Sequence, residues 1–454
     1  MVTGSSGSAE EERVWFWKSE DRFSVVLGSG AVLRRGRAGI PCFSRLYIGC
    51  GILTETRQRT RFHLPSIDLV LVVDQAGRAF SRRFPWHPQA FLTVIGKVRH
   101  VQLGWIGMIG KRLEPVRWRG GILEAVDQTL LPSKLSYVRL RSVDQVCSAI
   151  KTMKVRGAPL IGVVGGFGLV LSLKKIRSGD IVEARKQLRK YADALIATRP
   201  TGVNLRWAVE QVLNASSKSE TVSSLQRDLE NEAVKIMNAE LESARKIGEY
   251  GAPLLEDGDT VLTHCNAGAL ATVGYGTALA LVRTAVEQGK MISVIATETR
   301  PLLQGARLTA FELAHDNIPV KIVCDSAAAQ ILSRGGVDKV VVGADRILRT
   351  GHVTNKIGTL PIALSAKFYE VPFYTAAPIS TFDVKTESSK VVIEERDQRE
   401  VLYFKNARVG PKGVEALNPA FDVTPPELIS GIITDRGVAK PPFEESIRSL
   451  TGKM

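Results

Sequence analysis

The sequence predicts an α/β protein. A C-terminal domain is built on a Rossmann-like, mostly parallel sheet, and a smaller, mainly helical domain carrying a few short strands precedes it. Three observations predict this. Four short apolar runs, Val261-Leu-Thr-His-Cys-Asn, Ile292-Ser-Val-Ile-Ala-Thr-Glu, Val320-Lys-Ile-Val-Cys-Asp and Val340-Val-Val-Gly-Ala-Asp, each end in a polar residue or glycine. Helical segments over 274–288, 303–315 and 327–334 separate them. That alternation is repeated βαβ, which places parallel strands between two helical layers. Upstream, the chain from Lys174 to Tyr250 reads as helix instead.

Each element has a local cause. Val116-Arg-Trp-Arg and Ile122-Leu-Glu-Ala-Val are two strands around the Gly120-Gly121 turn, and Pro132 ends the second. Ser142 caps a helix whose apolar positions are Val143, Val146, Ala149 and Ile150, with Cys147 near that face as an inert thiol. The stretch Ala158 to Leu173 is almost wholly apolar, but it is shorter than the roughly 20 residues of a membrane span and holds four glycines. Close packing in a soluble core explains it better than lipid. Leu188, Ala192 and Ile196 mark one face of the next helix, which stops near Arg199-Pro-Thr-Gly. Leu225, Leu229, Ile236, Met237 and Leu241 mark a long amphipathic helix.

Composition divides the chain. Of 61 Lys and Arg, 15 precede Met108, against 8 of the 46 Asp and Glu, so nearly half of the +15 formal charge sits in the first quarter. Four of six Trp and seven of fifteen Phe are there too. The expected organisation is a poorly ordered extension of doubtful status over 1–107, a small, mainly helical domain with short N-terminal strands over 108–252 and a Rossmann-like catalytic domain over 253–454. Met108 is a candidate start of the functional chain. The extension opens with a Gly/Ser-rich tail over 1–10. It contains one strand candidate, Ile67 to Val73, and basic clusters at Arg34 to Arg37 and Arg78 to Arg83. The glycine-rich stretch from Gly104 to Gly110 is a poor spanning helix. Five scattered cysteines without a CxxC pair exclude a secreted disulfide framework and a zinc ribbon. The expected location is the cytoplasm.

Sheets of this kind bind ligands beyond the C-terminal ends of their strands. Those ends carry Cys265, Asn266, Glu298, Arg300, Cys324, Asp325 and Asp345. Neither GxGxxG nor a P-loop is present, which argues against NAD and ATP. Cys265 is the leading nucleophile or base candidate, because a thiol beside a helix N-terminus has a lowered pKa. The bland reading is a buried thiol. Asp345 is the matching acid, or else an N-cap or a partner of Arg346. His264 points away from Cys265 on the strand, which disfavours a Cys–His dyad. Arg156-Gly157-Ala158-Pro159 opens the apolar helix, and its N–H groups with the guanidinium suit a phosphate; a surface cap is the alternative. Asn355 and Lys356, read in a polar turn, suit a sugar phosphate or lie in an exposed loop.

Six motifs, in order, resemble the methylthioribose-1-phosphate isomerases of methionine salvage. They are Lys154-Val-Arg-Gly-Ala-Pro, Thr198-Arg-Pro-Thr-Gly-Val-Asn, Thr263-His-Cys-Asn-Ala-Gly, Glu298-Thr-Arg-Pro-Leu-Leu-Gln-Gly-Ala-Arg-Leu-Thr, Val342-Gly-Ala-Asp-Arg-Ile and Asn355-Lys-Ile-Gly-Thr. The resemblance runs from about Arg112 to about Thr434. The wider family includes ribose-1,5-bisphosphate isomerases and noncatalytic regulatory subunits of the exchange factor for translation initiation factor 2. The resemblance implies that Cys265 and Asp345 are catalytic. It implies that Arg156, Gly157, Ala158, Arg199, Gln304, Asn355 and Lys356 bind substrate. It further implies an aldose–ketose isomerisation of 5-methylthioribose 1-phosphate by a homodimer. No metal or organic cofactor, no nucleic acid for the catalytic body and no membrane are expected. The full catalytic set favours the enzyme over a regulatory subunit, and the Leu-Gln-Gly-Ala-Arg-Leu-Thr motif favours the methylthio sugar over the bisphosphate.

Overall fold

The computed structural model describes residues 112–200 and 202–452, together with six strands between Trp15 and Arg82. The chain divides into two compact units, residues 1–101 and 102–454. In the first, β1 (Trp15–Ser19), β2 (Arg22–Val26) and β3 (Val32–Arg34) form one antiparallel sheet. A second comprises β4 (Gln58–Leu64), β5 (Ile67–Val73) and β6 (Ala79–Arg82). The strand expected at Ile67 to Val73 is the central one of that sheet. The tail over 1–10, the stretch from Gly104 to Gly110, Met108 and the side chains of the basic clusters lie outside the described residues.

The second unit begins with a three-stranded meander: β7 (Val116–Arg119), β8 (Ile122–Val126) and β9 (Tyr137–Leu140). Gly120 and Gly121 both have positive φ, 56° and 71°, which a two-residue hairpin turn of this type demands. Ser142 caps α1 (Val143–Lys151) through Gln145 N–H, as its sequence predicts. The helix α2 (Ala158–Ser172) is buried on every side among α1, α3 (Ile181–Ile196), α4 (Val203–Ala215) and α5 (Val222–Gly251). It is long and apolar enough to cross a membrane together with the following turn, yet most of that stretch is buried inside the protein. Its glycines serve contact: a Cβ on Gly165 would stand 2.3 Å from Leu205 Cδ1. The helix is therefore a core element whose glycines let α4 approach.

The main sheet has the order β12-β11-β10-β13-β16-β21-β22. Its strands are β10 (Thr260–Thr263), β11 (Ser293–Thr297), β12 (Val320–Val323), β13 (Lys339–Val342), β16 (Phe373–Ala376), β21 (Gly431–Thr434) and β22 (Gly437–Ala439). All pairings are parallel except the last. The helices are α6 (Ala278–Glu287), α7 (Ala310–His315), α8 (Ala328–Ser333), α9 (Thr359–Phe368), the short α10 (Arg399–Leu402) and α11 (Phe443–Thr451). This is the predicted Rossmann-like α/β architecture. The chain runs outward from β10 to β12 and then returns to β13, so the topological switch point lies between β10 and β13.

Four features differ from the sequence reading. The helix expected from 274 begins at Ala278, and the one expected from 303 starts as a wide π turn over Gly305–Thr309. A second sheet, unforeseen, pairs β17 (Phe382–Asp383), β14 (Arg346–Leu348), β15 (Val353–Lys356) and β20 (Phe421–Thr424). A small hairpin, β18 (Tyr403–Phe404) with β19 (Ala407–Arg408), lies in the long connection before β20.

Candidate active site

The switch point brings the ends of β10 and β13 together. A Cβ on Gly343, just after β13, would stand 2.7 Å from the Cβ of Ala267, just after Cys265 and Asn266. The absence of a side chain at 343 thus lets the Asp345 loop lie against the Cys265 loop. Asp345 N–H donates to Thr354 O at 2.9 Å, which ties the loop to β15. Arg346 instead faces Asp383 at 3.7 Å, so the pairing of Asp345 with its neighbour does not form.

Arg156, Arg199 and Lys356 all act electrostatically on Asp345, and Arg156 and Lys356 act also on Cys265. These influences link five residues that come from the helical region, the main sheet and the second sheet. Burial pushes the Asp345 carboxyl above the ordinary carboxylate range, and Lys356, Arg199 and Arg156 pull it back. Burial likewise pushes the Cys265 thiol up, against Lys356 and Arg156. This corrects the expectation of a lowered thiol. The cause is burial, and the segment that follows the loop is a short 3₁₀ turn, Ala269–Ala271, where a helix was expected.

Asn355 and Lys356 lie in strand β15, paired to Asp422 and Phe421 of β20, and not in a polar turn. Asn355 is buried and donates to Thr359 Oγ1 at 3.0 Å. Lys356 donates to Ala420 O at 2.9 Å, with its Nζ 4.3 Å from the Phe421 ring centroid. The polar sequence of β15 concealed a strand whose partner arrives some 65 residues later.

Arg156 is not a free surface cap. Its Nε donates to Gln128 Oε1 at 3.0 Å, and its guanidinium also bonds Asn266 through both the backbone and side-chain oxygens. Gly157 has φ 102°, and a Cβ there would stand 2.4 Å from Ala271 Cα. Only glycine permits both the conformation and the approach. Ala158 and Pro159 then open α2. Arg199 lies at the end of the turn after α3 and lines an open cleft with Lys151, Met153, Thr198, Pro200, Glu394 and Arg396. Gln304 is buried, and its Oε1 has no hydrogen-bond partner among the described residues. A buried unpaired acceptor of this kind suits a ligand hydroxyl.

His264 is spent structurally. Its Nε2 lies 2.8 Å from Ile357 O and its Nδ1 2.6 Å from Thr297 Oγ1. A carbonyl only accepts, so Nε2 carries the proton and Nδ1 accepts from the threonine. Burial also holds the ring's pKa below its ordinary value. The chain therefore has no Cys–His dyad at this strand end.

Residues that composition and spacing did not reveal support the loop from behind. Gln128 also donates to Leu270 O at 2.8 Å. Glu312, fully buried, accepts from Asn266, from Ala269 N–H at 2.6 Å and from Arg283 at 2.7 Å. Arg283 continues to Asp316 at 2.6 Å. The one sequence signal was an acid and a base on the apolar faces of α7 and α6, since buried charges are rare unless paired. Among the described residues, no group of three His, Cys, Asp or Glu side chains is arranged to hold a metal ion.

The arrangement sets a thiol and a carboxyl, both pushed up by burial, at the ends of strands beside the sheet switch point, with Lys356 and Arg156 acting on both. The Initiation factor 2 subunit family matches residues 154–441. A methylthioribose-1-phosphate isomerase of Thermotoga neapolitana is 50% identical over 345 residues, covering 75% of this chain and 99% of its own. That of Pelotomaculum thermopropionicum is 49% identical over 340 residues, 74% of this chain and 93% of its own. Among solved structures, the 5-methylthioribose 1-phosphate isomerase of Pyrococcus horikoshii superimposes with a TM-score of 0.72 at 39% identity, covering 76% of this chain and 97% of its own. A chain described as translation initiation factor eIF-2B, subunit delta, from A. fulgidus gives a TM-score of 0.69 at 47% identity, covering 75% and 99%.

Proposed function

This chain belongs to the methylthioribose-1-phosphate isomerase family, and we propose that it converts 5-methylthioribose 1-phosphate into 5-methylthioribulose 1-phosphate in methionine salvage. The observation that carries the reading is the meeting of Cys265 and Asp345 at the switch point, under Arg156, Arg199 and Lys356. The same proposal includes a homodimer acting in the cytoplasm on a small sugar phosphate.

The chemistry follows from the substrate. Its C1 phosphate blocks a free aldehyde, so the ring must open by breaking the bond between C1 and the ring oxygen. Asp345, whose carboxyl burial pushes up, is the residue that delivers a proton to that oxygen. Hydrogen must then pass from C2 to C1, and the C2 hydroxyl gives its proton to the carboxylate left on Asp345. This restores the acid and leaves a ketone. Arg156, Arg199 and Lys356 hold the phosphate dianion, Gly157 and Ala158 bring backbone close to it, and Gln304 and Asn355 orient the sugar hydroxyls. Cys265, a thiol that burial keeps protonated, stabilises the transition state of that hydrogen transfer.

Turnover of 5-methylthioribose 1-phosphate by the purified protein tests this. Asp345→Asn is expected to lower kcat by about 10²–10⁴-fold and Cys265→Ala by about 10–100-fold, each with circular dichroism unchanged. Near-parent rates in either variant would remove that residue from the assignment. A second reading has its own support, because the A. fulgidus chain is described as an initiation factor subunit. Absence of turnover with both this substrate and ribose 1,5-bisphosphate would favour a noncatalytic role. Preference for the bisphosphate would favour the sister activity.

A further inference from the structure

We infer that Thr299 and Thr309 are positioning residues that hold the backbone of Cys265 in a left-handed conformation and so aim its thiol; this rests on the isomerase reading above for its catalytic consequence. Cys265 has φ 62°, a region that residues with a side chain rarely adopt. A glycine would relieve the strain but would remove the thiol. The conformation must therefore be imposed by neighbours, and the neighbours are visible on both peptide groups. Cys265 N–H donates to Thr299 Oγ1 at 2.9 Å, and Thr309 Oγ1 donates to Cys265 O at 2.6 Å. Both threonines are fully buried.

Each hydroxyl is fully engaged. Thr299 Oγ1 accepts from Cys265 and donates to Thr297 O at 3.2 Å. Thr309 Oγ1 donates to Cys265 and accepts from Asn266 Nδ2 at 3.1 Å. Neither can rotate away without leaving a buried polar group unpaired. Thr299 itself is left-handed, φ 62°, and Asp325 pins it: Oδ1 accepts Thr299 N–H at 2.8 Å and Oδ2 accepts Arg300 N–H at 2.7 Å. Asp325 and Thr299 thus form one jaw at the ends of β12 and β11, and Thr309, in the wide turn before α7, forms the other. Strained backbone held by surrounding structure is how a site fixes a side chain that would otherwise relax. The two threonines belong to the Glu298–Thr309 motif, in which the family resemblance assigned only Gln304.

The test uses the full chain and reads two quantities. Thr299→Val and Thr309→Val keep the side-chain shape and remove the hydroxyl; Thr299→Ser and Thr309→Ser keep the hydroxyl. The first readout is alkylation of Cys265 by iodoacetamide, followed by peptide mass spectrometry with Cys147 and Cys324 as references. Freed from the clamp, the thiol is expected to react about ten-fold faster in the Val variants, with the Ser variants close to parent. The second is steady-state turnover: kcat is expected to fall on the order of 10–100-fold in the Val variants, with KM little changed and Ser restoring kcat. Unchanged Cys265 alkylation in folded Val variants overturns the clamp whatever the activity. Unchanged kcat with a lowered Tm also overturns it, since that is the signature of a merely structural role. Where the Val variants fail to fold, Asp325→Asn leaves both hydroxyls in place and must raise alkylation and lower kcat in the same sense, or the proposal falls. A parent chain without turnover whose Val variants nevertheless alkylate faster would reject the isomerase reading and leave the clamp standing.

Discussion

At Cys265, burial and neighbouring charge pull in opposite directions. Burial is the larger effect and pushes the thiol up; Lys356 and Arg156 draw it down, while Asp345 opposes them. The outcome is a sulfur that keeps its proton at neutral pH, and such a thiol is a poor base for the C2 hydrogen. The chemistry that fits is direct movement of hydrogen from C2 to C1. Substrate deuterated at C2, turned over in ordinary water, is therefore expected to give product that retains the label at C1. Loss of the label to solvent, read by proton NMR, would instead make Cys265 or Asp345 a base in an enediol route. Asp345 shows the complementary logic: burial pushes its carboxyl up, while Lys356, Arg199 and Arg156 favour the charge it acquires when it gives up its proton.

At the scale of elements, α5 joins the two cores of the described unit. Leu225, Leu229, Ala233 and Ile236 pack into the helical core, whereas Ala244 and Ile247 pack against the sheet. Between them sits Glu240, buried, with its carboxyl pushed up to about 7 by burial and, secondarily, by the negative charge of Asp435. Unfolded, the same carboxyl ionises near 4.5. Between these values the folded chain holds a proton that the unfolded chain has lost, so stability falls as pH rises through that window and stays lowered above it. The loss is on the order of 3 kcal/mol. Glu240→Gln removes the titrating group and is expected to raise Tm by a few degrees at about pH 8, with little change at about pH 5. Equal Tm shifts at both values, measured by calorimetry, would show that ionisation of Glu240 is not the cause.

At the scale of the molecule, every site residue lies within the unit that spans 102–454, and the relatives match about three quarters of the chain. A chain starting at Met108 is therefore expected to fold and to turn over substrate within about two-fold of the full-length rate. Loss of activity in a folded Met108 chain would give the first 107 residues a part in catalysis. The charge arithmetic agrees with this division, since nearly half of the excess basicity belongs to the extension and the remainder is spread over a body in which Lys356, Arg199 and Arg156 act on Asp345.

Local pattern determined the elements. Period and punctuation alone place α1 with its Ser142 cap, the Gly120-Gly121 hairpin, the buried α2 and the βαβ alternation, because capping, turn geometry and apolar spacing act over a few residues. The same reasoning puts Cys265 and Asp345 at strand ends, where such sheets bind ligands. What the sequence could not carry is whatever depends on residues far apart in the chain. Strand β15 exists because β20 pairs with it, so Asn355 and Lys356 read locally as a turn. Arg156 is anchored to Asn266, 110 positions away, and Asn266 to Glu312, a further 46. The direction of the Cys265 shift likewise required the tertiary structure. Local sequence suggested a helix N-terminus and a lowered pKa; burial, which is set by all the packed elements together, raised it instead.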